Sequence, residues 1–312
     1  MSFATGVKED LARIVSSRSC CRKAELAAFL RLNGNIRQEE AGVSLSMVTE
    51  NAAIARKIFT LAKGCGLNSQ IAVHRKARLK KNQVFSLRTS PQEALQKLLK
   101  DLHFLPDAGR WRGLGSAFES AIIKGECCKR AYLRGVFQAA GYISDPEGAY
   151  HLEISLPDLQ QVQIVQRLLA GFEVAAKMTR RKGMFVLYLK EGEQISNLLN
   201  VLGSHRSLLE FESMRVDKEV RNQVNRLVNC DKANLDKTVA AAFRQVESIN
   251  TIEKLGGLQQ LSKPLREMAE LRSQYPEASL SELSDISGLG RSAINHRLRK
   301  LVETAAELEN RG

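Results

Sequence analysis

The sequence predicts an α+β fold made from two copies of one half-domain, followed by an all-α segment. The first observation is an internal repeat, because Cys20–Ile36 (CCRKAELAAFLRLNGNI) and Cys127–Ile143 (CCKRAYLRGVFQAAGYI) share identities at a constant offset. The same offset aligns Ser44–Thr49 with His151–Leu156, and both segments alternate apolar and polar residues as half-buried strands do. Strand patterns then stop near Met214. Two copies of so long a period indicate a duplicated half-domain and not a solenoid.

The elements of the first half follow from periodicity and from helix-ending residues. Thr5 is the expected N-cap of a helix over Thr5–Val15, and Asn33-Gly34 is expected to end the first repeat helix. The second half repeats the order, with its middle helix over Leu159–Leu169. The other predicted elements of the first half are helices over Cys21–Leu32, Asn51–Lys63 and the run PQEALQKLLKDL, and strands over Ser44–Thr49, Ile71–Val73 and Val84–Leu87.

The net charge of +13 is concentrated in the first half. Residues 1–100 contain 18 Lys and Arg against 7 Asp and Glu, whereas residues 101–214 contain 13 of each kind. Basic surfaces attract polyanions by releasing counterions, which favours nucleic acid as a partner. A surplus of charge that serves only solubility is the alternative.

The connection between the two hairpin strands of the first half is its most basic stretch. Within His74–Gln83, the side chains of Arg75, Arg78, Lys80 and Lys81 are predicted to contact phosphates. The alternative is a solvated edge kept basic to prevent strand pairing. The corresponding tip in the second half, Lys177–Gly183, is also basic but shorter.

The composition predicts a cytoplasmic protein with no membrane partner. No apolar run approaches the ~20 residues that a membrane helix needs, and the first 15 residues lack the continuous apolar core of a signal peptide. The six cysteines include two adjacent pairs but no C-x-x-C or H-x₃₋₅-H pattern, which argues against a tetrahedral metal site. Reduced thiols packed on the inner side of a helix start are therefore expected, with no metal and no cofactor.

Beyond residue 214 the patterns are helical. Apolar residues recur through Val216–Val228 and again through Leu235–Ile249, which predicts two helices. Gly256-Gly257 is a predicted break, Pro264 is predicted to start the next helix and Pro276 to end it.

The last hundred residues contain a helix-turn-helix pattern at about 279–303. Ser279 and Glu282 form a capping box that opens a helix over Leu280–Ser287, and a Gly288-Leu289-Gly290 turn leads into a second helix over Ser292–Glu303. An ordinary helical hairpin in a bundle is the alternative. Six apolar residues of the motif are predicted to be buried: Leu283, Ile286, Leu289, Ile294, Leu298 and Leu301.

The outer face of the second helix predicts DNA binding. No acid occurs from Gly288 to Val302. For His296, a surface position without a role is the alternative. The side chains predicted to face base edges are Ser292, Asn295, His296 and Arg299, which can donate to or accept from bases. Those predicted to contact phosphates are Arg291, Arg297 and Lys300.

Three stretches, Cys127–Ile154, Arg221–Val239 and Gly288–Leu301, resemble the WhiA family of bacterial sporulation regulators and cell-division proteins. That family joins a degenerate LAGLIDADG homing-endonuclease-like domain to a C-terminal helix-turn-helix domain. The resemblance implies such a domain over residues 1–214, with halves at about 1–105 and 120–214 that form a pseudo-symmetric saddle. It implies a helix-turn-helix DNA-binding domain over residues 215–312, and roles in division, chromosome segregation and sporulation at the nucleoid.

The resemblance also implies that no catalytic residues remain. Active LAGLIDADG endonucleases end each repeat helix with an acid before the glycine, and the two acids hold divalent metals for phosphodiester cleavage. Here the matching positions are Asn33 and Ala140, which provide no anionic ligand. Asp145 lies beyond the helix end, where it is expected to form a turn before Pro146.

Three function hypotheses follow. The first is a sequence-specific regulator that binds double-stranded DNA and is not an enzyme. The second, an active nuclease, is disfavoured by Asn33 and Ala140. The third is a protein-interaction scaffold whose basic saddle binds a sigma factor or a division component.

Overall fold

A computed structural model describes residues 2–75, 83–104 and 122–310. The chain divides into two compact units, Met1–Lys218 and Glu219–Gly312. The first unit contains two α/β halves of the same design and the second is helical, so the predicted α+β class is confirmed.

Each half of the first unit builds one antiparallel four-stranded sheet. The first sheet has the order β1-β2-β4-β3 and the second the order β5-β6-β8-β7. The first half comprises α1 (Phe3–Ala12), α2 (Ser19–Asn33), β1 (Gly34–Glu39), β2 (Gly42–Thr49), α3 (Ala52–Gly64), β3 (Gln70–Arg75), β4 (Gln83–Thr89) and α4 (Glu93–Asp101). The second comprises α5 (Glu126–Ala140), β5 (Gly141–Ile143), β6 (Leu152–Leu156), α6 (Leu159–Ala170), β7 (Lys177–Arg181), β8 (Met184–Leu189) and α7 (Gly192–Leu202).

Strands β1 and β5 were absent from the sequence prediction, which placed a single strand between the repeat helix and the middle helix of each half. Both strands begin at the glycine that follows the helix, with extended backbone at Gly34 (φ −77°, ψ 133°) and Gly141 (φ −86°, ψ 152°). No loop separates the helix from the strand in either half. In the sequence, each glycine therefore indicates the end of the helix but not the start of a strand. Strand β1 carries a single large apolar residue, Ile36, so its alternation is weak. The predicted cap Thr5 is also wrong, because Ser2 caps α1 and accepts from the Thr5 amide at 3.3 Å.

Helices α2 and α5, the repeat helices, pack against each other at the centre of the unit. A Cβ atom added at Gly135 would lie 2.7 Å from the carbonyl oxygen of Glu25 and 2.8 Å from the Cβ of Ala28. The two backbones are therefore as close as a glycine permits. Apolar side chains from both halves form one continuous core around this contact.

A buried charged network crosses the same interface. Glu25 and Lys57 have fully buried side chains and form an ion pair through Oε1 and Nζ. The same Oε1 accepts from Arg134 Nε at 3.0 Å. Lys57 Nζ also donates to the Leu11 carbonyl at 2.7 Å and to Gln138 Oε1 at 3.0 Å. Burial lowers the pKa of Lys57 to about 8, although the Glu25 carboxylate opposes that shift.

One 50-residue helix, α8 (His205–Lys254), replaces the two helices predicted beyond residue 214. The polar segment between the two apolar patterns, residues 229–234, contains neither Gly nor Pro, so nothing in it ends a helix. The boundary between the two compact units lies within this helix.

The second unit continues after a 3₁₀ turn (Gly257–Gln260) with α9 (Lys263–Gln274), α10 (Leu280–Ser287) and α11 (Arg291–Glu309). Pro264 lies in the first turn of α9, as predicted. Apolar residues of α8, α9, α10 and α11 form a separate core. Among the described residues, no helix is both long enough and apolar enough to cross a membrane.

Candidate nucleic-acid interface

Helices α10 and α11 are joined as the sequence predicts. The Ser279 hydroxyl accepts from the Glu282 amide at 3.2 Å, and the Glu282 carboxylate accepts from the Ser279 amide at 2.7 Å, which confirms the capping box. Gly288 ends α10 with a φ of 67°, the left-handed region that favours glycine. The Ser284 hydroxyl then donates to the Leu289 carbonyl at 2.6 Å and holds the turn.

The apolar face of the motif is mostly as predicted, but Leu289 is only half-buried and Ile286 is exposed. Leu283, Ile294, Leu298 and Leu301 are fully buried, which fixes the orientation of α11. Ile286, which was also expected to be buried, is 48% exposed. Leu283 is the buried residue of this two-turn helix, so its packed face is narrower than the helical spacing of Leu283 and Ile286 suggests.

The outer face of α11 presents the side chains predicted to bind DNA. Ser292, Asn295, His296 and Arg299 are all exposed. Of the three flanking cations, Arg291 and Lys300 are exposed and Arg297 is half-buried. The structure thus places seven candidate side chains on or beside one accessible face, while their contact with DNA stays a prediction.

Arg299 has a competing partner on its own helix. Its Nε donates to Glu303 Oε1 at 3.2 Å, and the two side chains are 78% and 56% exposed. Exposed pairs of this kind contribute about 0–1 kcal/mol. A base or phosphate can therefore displace Glu303 at small cost.

A second polar surface, missed by the sequence analysis, covers the outer face of the first sheet. Asn35 and Arg37 on β1 and Arg88 on β4 are exposed around a shallow cavity of about 430 Å³. Register pairs Asn35 with Ser46, and Ser46 with Arg88, so these side chains share one face of the sheet. The alternation of Asn35, Ile36 and Arg37 was the available signal, but β1 had not been recognised as a strand.

The matching face of the second sheet places an acid among its cations. Glu153 on β6 lies 3.1 Å from His151 Nε2 and 3.8 Å from Arg181 Nη1, so an acid neutralises the cation at this position. Tyr142 on β5 is half-exposed beside it in the sheet, paired directly with Glu153. The two halves have kept the same backbone but present different charges.

The repeat-helix ends that carry acids in active endonucleases have none here. Asn33 is the last residue of α2 and Ala140 the last of α5. Asn33 lines a cavity of about 380 Å³ together with Glu50, Gln138 and Ala139, and its buried Oδ1 has no hydrogen-bond partner among the residues that the structure describes. A neutral amide and a methyl group cannot replace a pair of anionic metal ligands.

The cysteines are arranged differently from the sequence expectation. Cys21 and Cys128 are buried at helix starts, as predicted, but Cys20 is exposed and Cys127 half-buried. All four Sγ atoms lie within 4.8 Å of one another, at the start of α2 and α5. Spacing rules missed this group because they compare cysteines along the chain, whereas these pair across the repeat. The repeat identity of the two Cys-Cys pairs was the available signal.

The basic hairpin of the first half is described only at its two strands. Arg78, Lys80 and Lys81 lie outside the described residues, and Arg75 is the last residue of β3. The phosphate contacts of this hairpin therefore stay a prediction from the sequence.

Three family models match the chain. The model described as WhiA N-terminal LAGLIDADG-like domain matches residues 19–105, the one described as WhiA LAGLIDADG-like domain matches 129–221, and WhiA C-terminal HTH domain matches 224–305. These ranges correspond to the two sheet-bearing halves and to the helical unit.

Similar proteins extend along the whole chain. Proteins named probable cell division protein WhiA, from Desulforamulus reducens and Heliobacterium modesticaldum, are each 46% identical, over 99% and 100% of this chain and 97% and 98% of theirs. A crystal structure named "full-length DUF199/WhiA from Thermatoga maritima" matches with a TM-score of 0.60 and 23% identity, covering 98% of this chain and 99% of that one. This last similarity supports the fold.

Proposed function

The chain belongs to the WhiA family, and on that premise we propose that it is a sequence-specific regulator that binds double-stranded DNA and has no nuclease activity. The names of its relatives point to cell division, and the family resemblance adds chromosome segregation and sporulation gene control at the nucleoid.

The observation that carries the proposal is the exposed face of α11. Buried Ile294, Leu298 and Leu301 fix one side of the helix, so Asn295 and Arg299 must point outward. Amide and guanidinium side chains can make bidentate contacts to adenine and guanine edges in the major groove. Helix-turn-helix proteins insert their second helix there.

Changing Asn295 or Arg299 to Ala is expected to weaken binding to the preferred site by about 1–3 kcal/mol and to leave binding to random duplex nearly unchanged. Binding isotherms on both duplexes, at one fixed salt concentration, measure the difference. The matched controls are Arg297→Ala and Lys300→Ala, which remove phosphate contacts and are expected to weaken both duplexes alike.

The same binding measurements can also contradict the proposal. All four residues avoid the buried face, so the variants are expected to remain folded. If the ratio of specific to random binding is unchanged in Asn295→Ala and Arg299→Ala, helix α11 does not read sequence.

Purified protein is expected not to cleave duplex DNA with Mg²⁺ or Mn²⁺, because the positions of the two metal-binding acids are Asn33 and Ala140. Plasmid nicking assays with and without chelator measure this. Cleavage that co-purifies with the protein through a further column and stops on chelation would contradict the proposal.

The alternative function is a scaffold that binds a sigma factor or division component through the basic saddle. The observation that supports this alternative is the polar face of the first sheet, on which Arg37 and Arg88 are exposed. A surface of this kind suits either phosphates or an acidic protein.

Replacing Arg37 and Arg88 together by Ala is expected to separate these two uses. If the sheet contacts DNA, the slope of log affinity against log salt decreases by about 1–2, since each lost phosphate contact removes about one counterion. Arg56→Ala, on an exposed position of α3, is the control. An unchanged slope in the double variant would assign the sheet to a protein partner or to solvent.

A further inference from the structure

We propose that Cys20, Cys21, Cys127 and Cys128 bind one Zn²⁺ ion that fastens the two halves of the first unit together. All four Sγ atoms lie within 4.8 Å of one another. Within each pair the Sγ atoms are 3.9 and 4.0 Å apart. Four thiolates around zinc, with Zn–S bonds of about 2.3 Å, would place the sulfurs about 3.8 Å apart. The thiols are thus within about 1 Å of tetrahedral spacing before any ion binds.

The choice of zinc follows from donor type and size. Thiolates prefer soft ions such as zinc, copper(I) and iron in iron–sulfur clusters. In a cluster each cysteine binds a different iron or shares one with a single other cysteine, so the four sulfurs must spread farther than around one ion. Four convergent donors fit tetrahedral Zn²⁺ better than the lower coordination that copper(I) accepts.

The surroundings favour a negatively charged metal–thiolate group. Cys20 and Cys21 lie in the first turn of α2, and Cys127 and Cys128 in the first turn of α5, and neither helix has a side-chain N-cap. Two helix N-termini therefore face the sulfurs with their partial positive charge. Arg18 Nη1 also donates to Cys127 Sγ at 3.7 Å.

Metal binding also compensates the charge of the thiolates. A dication that replaces the four thiol protons neutralises two of the four negative charges that deprotonation creates. Exposed Cys20 leaves the group open to an incoming ion.

The site lies at the opposite end of the repeat helices from the positions of the lost catalytic acids. The cysteines lie near the starts of α2 and α5, and Asn33 and Ala140 end the same helices. At 1.5 Å per residue the two ends are about 20 Å apart. A metal here would act as a cross-link between the halves and not as a replacement for the lost catalytic ions.

The test measures metal in the full-length protein. Protein purified without chelator is expected to contain about one zinc per chain, and little iron or copper, by elemental analysis. Protein stripped under reducing conditions is expected to take up Co²⁺ and give the intense visible bands of a tetrahedral cobalt–thiolate site. Added Zn²⁺ should bleach those bands and raise the melting temperature.

The variants use the two more accessible cysteines. The double variant C20S/C127S leaves two thiolates and is expected to bind zinc at least tenfold more weakly. Its matched control is C65S/C230S, which removes two cysteines outside the group and should keep the full zinc content. Circular dichroism confirms that each variant is folded.

Three results would overturn the proposal. One is folded, reduced wild-type protein that shows neither bound zinc nor a cobalt–thiolate spectrum. Another is zinc binding that persists in C20S/C127S, or iron or copper in place of zinc. The third is a disulfide among the four cysteines in protein purified without oxygen, detected as a mass lower by two hydrogens per bond.

Discussion

Replacing Glu25 by Ala is expected to lower the free energy of unfolding of the first unit by about 3–5 kcal/mol. The substitution leaves the Lys57 ammonium, which is fully buried, without its carboxylate partner. The Arg134 guanidinium loses the same oxygen and keeps, within the described part of the chain, its hydrogen bond to the Leu202 carbonyl at 2.9 Å. Two cations would then lie close together in a region of low dielectric. Urea unfolding of the full-length protein, followed by circular dichroism, measures the loss.

The matched control for this prediction is an exposed ion pair in the same unit. Asp101→Ala removes the partner of Lys23, and those two side chains are 43% and 42% exposed. Its cost is expected to stay below about 1 kcal/mol, because water screens the pair. The variant K57M combined with Glu25→Ala removes one of the stranded cations and should recover part of the loss. Equal effects of Glu25→Ala and Asp101→Ala would show that water reaches the Glu25 network.

Replacing Leu298 by Ala is expected to cost the second unit about 2–5 kcal/mol, since Leu298 is fully buried and its truncation leaves a cavity. The same substitution at Ile286, 48% exposed on the neighbouring helix, is expected to change stability by less than about 0.5 kcal/mol. Thermal unfolding of the two variants measures the contrast. DNA binding should fail in Leu298→Ala at temperatures where Ile286→Ala still binds.

The Ile286→Ala variant distinguishes a buried Ile286, as the sequence predicts, from the exposed Ile286 of the structure. If Ile286→Ala destabilises the unit as much as Leu298→Ala, the sequence-based expectation of a buried Ile286 was correct for the protein in solution. The orientation of α10 described here would then be wrong.

The sequence predicted most of what depends on local pattern. Repeat identities located α2 and α5, and the capping box at Ser279 located α10 to the residue. Periodicity alone could not join two apolar patterns into the single helix α8, because joining them depends on the absence of a breaker and not on any positive signal. Strand β1 was missed because Gly34 ends a helix and starts a strand at one residue.

Features that depend on contacts between the halves could not be predicted. Nothing near Lys57 in the sequence indicates that it meets Glu25 and Gln138, which are distant along the chain. The four cysteines meet only because the repeat helices pack side by side in the same direction. For the candidate DNA surface the outcome is mixed: the exposed face of α11 was foreseen, whereas Arg37 and Arg88 required the sheet register.

The packing of α2 against α5 depends on residues that differ between the two halves. At the repeat offset Ala28 corresponds to Gly135, and Glu25 to Tyr132. Two copies of the first half would bring one Ala28 methyl onto another where the bare Cα of Gly135 now lies, and Glu25 would lose its Arg134 partner. Two copies of the second half would bury Arg134 against Tyr132, with no carboxylate. We therefore expect each half to pack in this way only against the other and not against a second copy of itself.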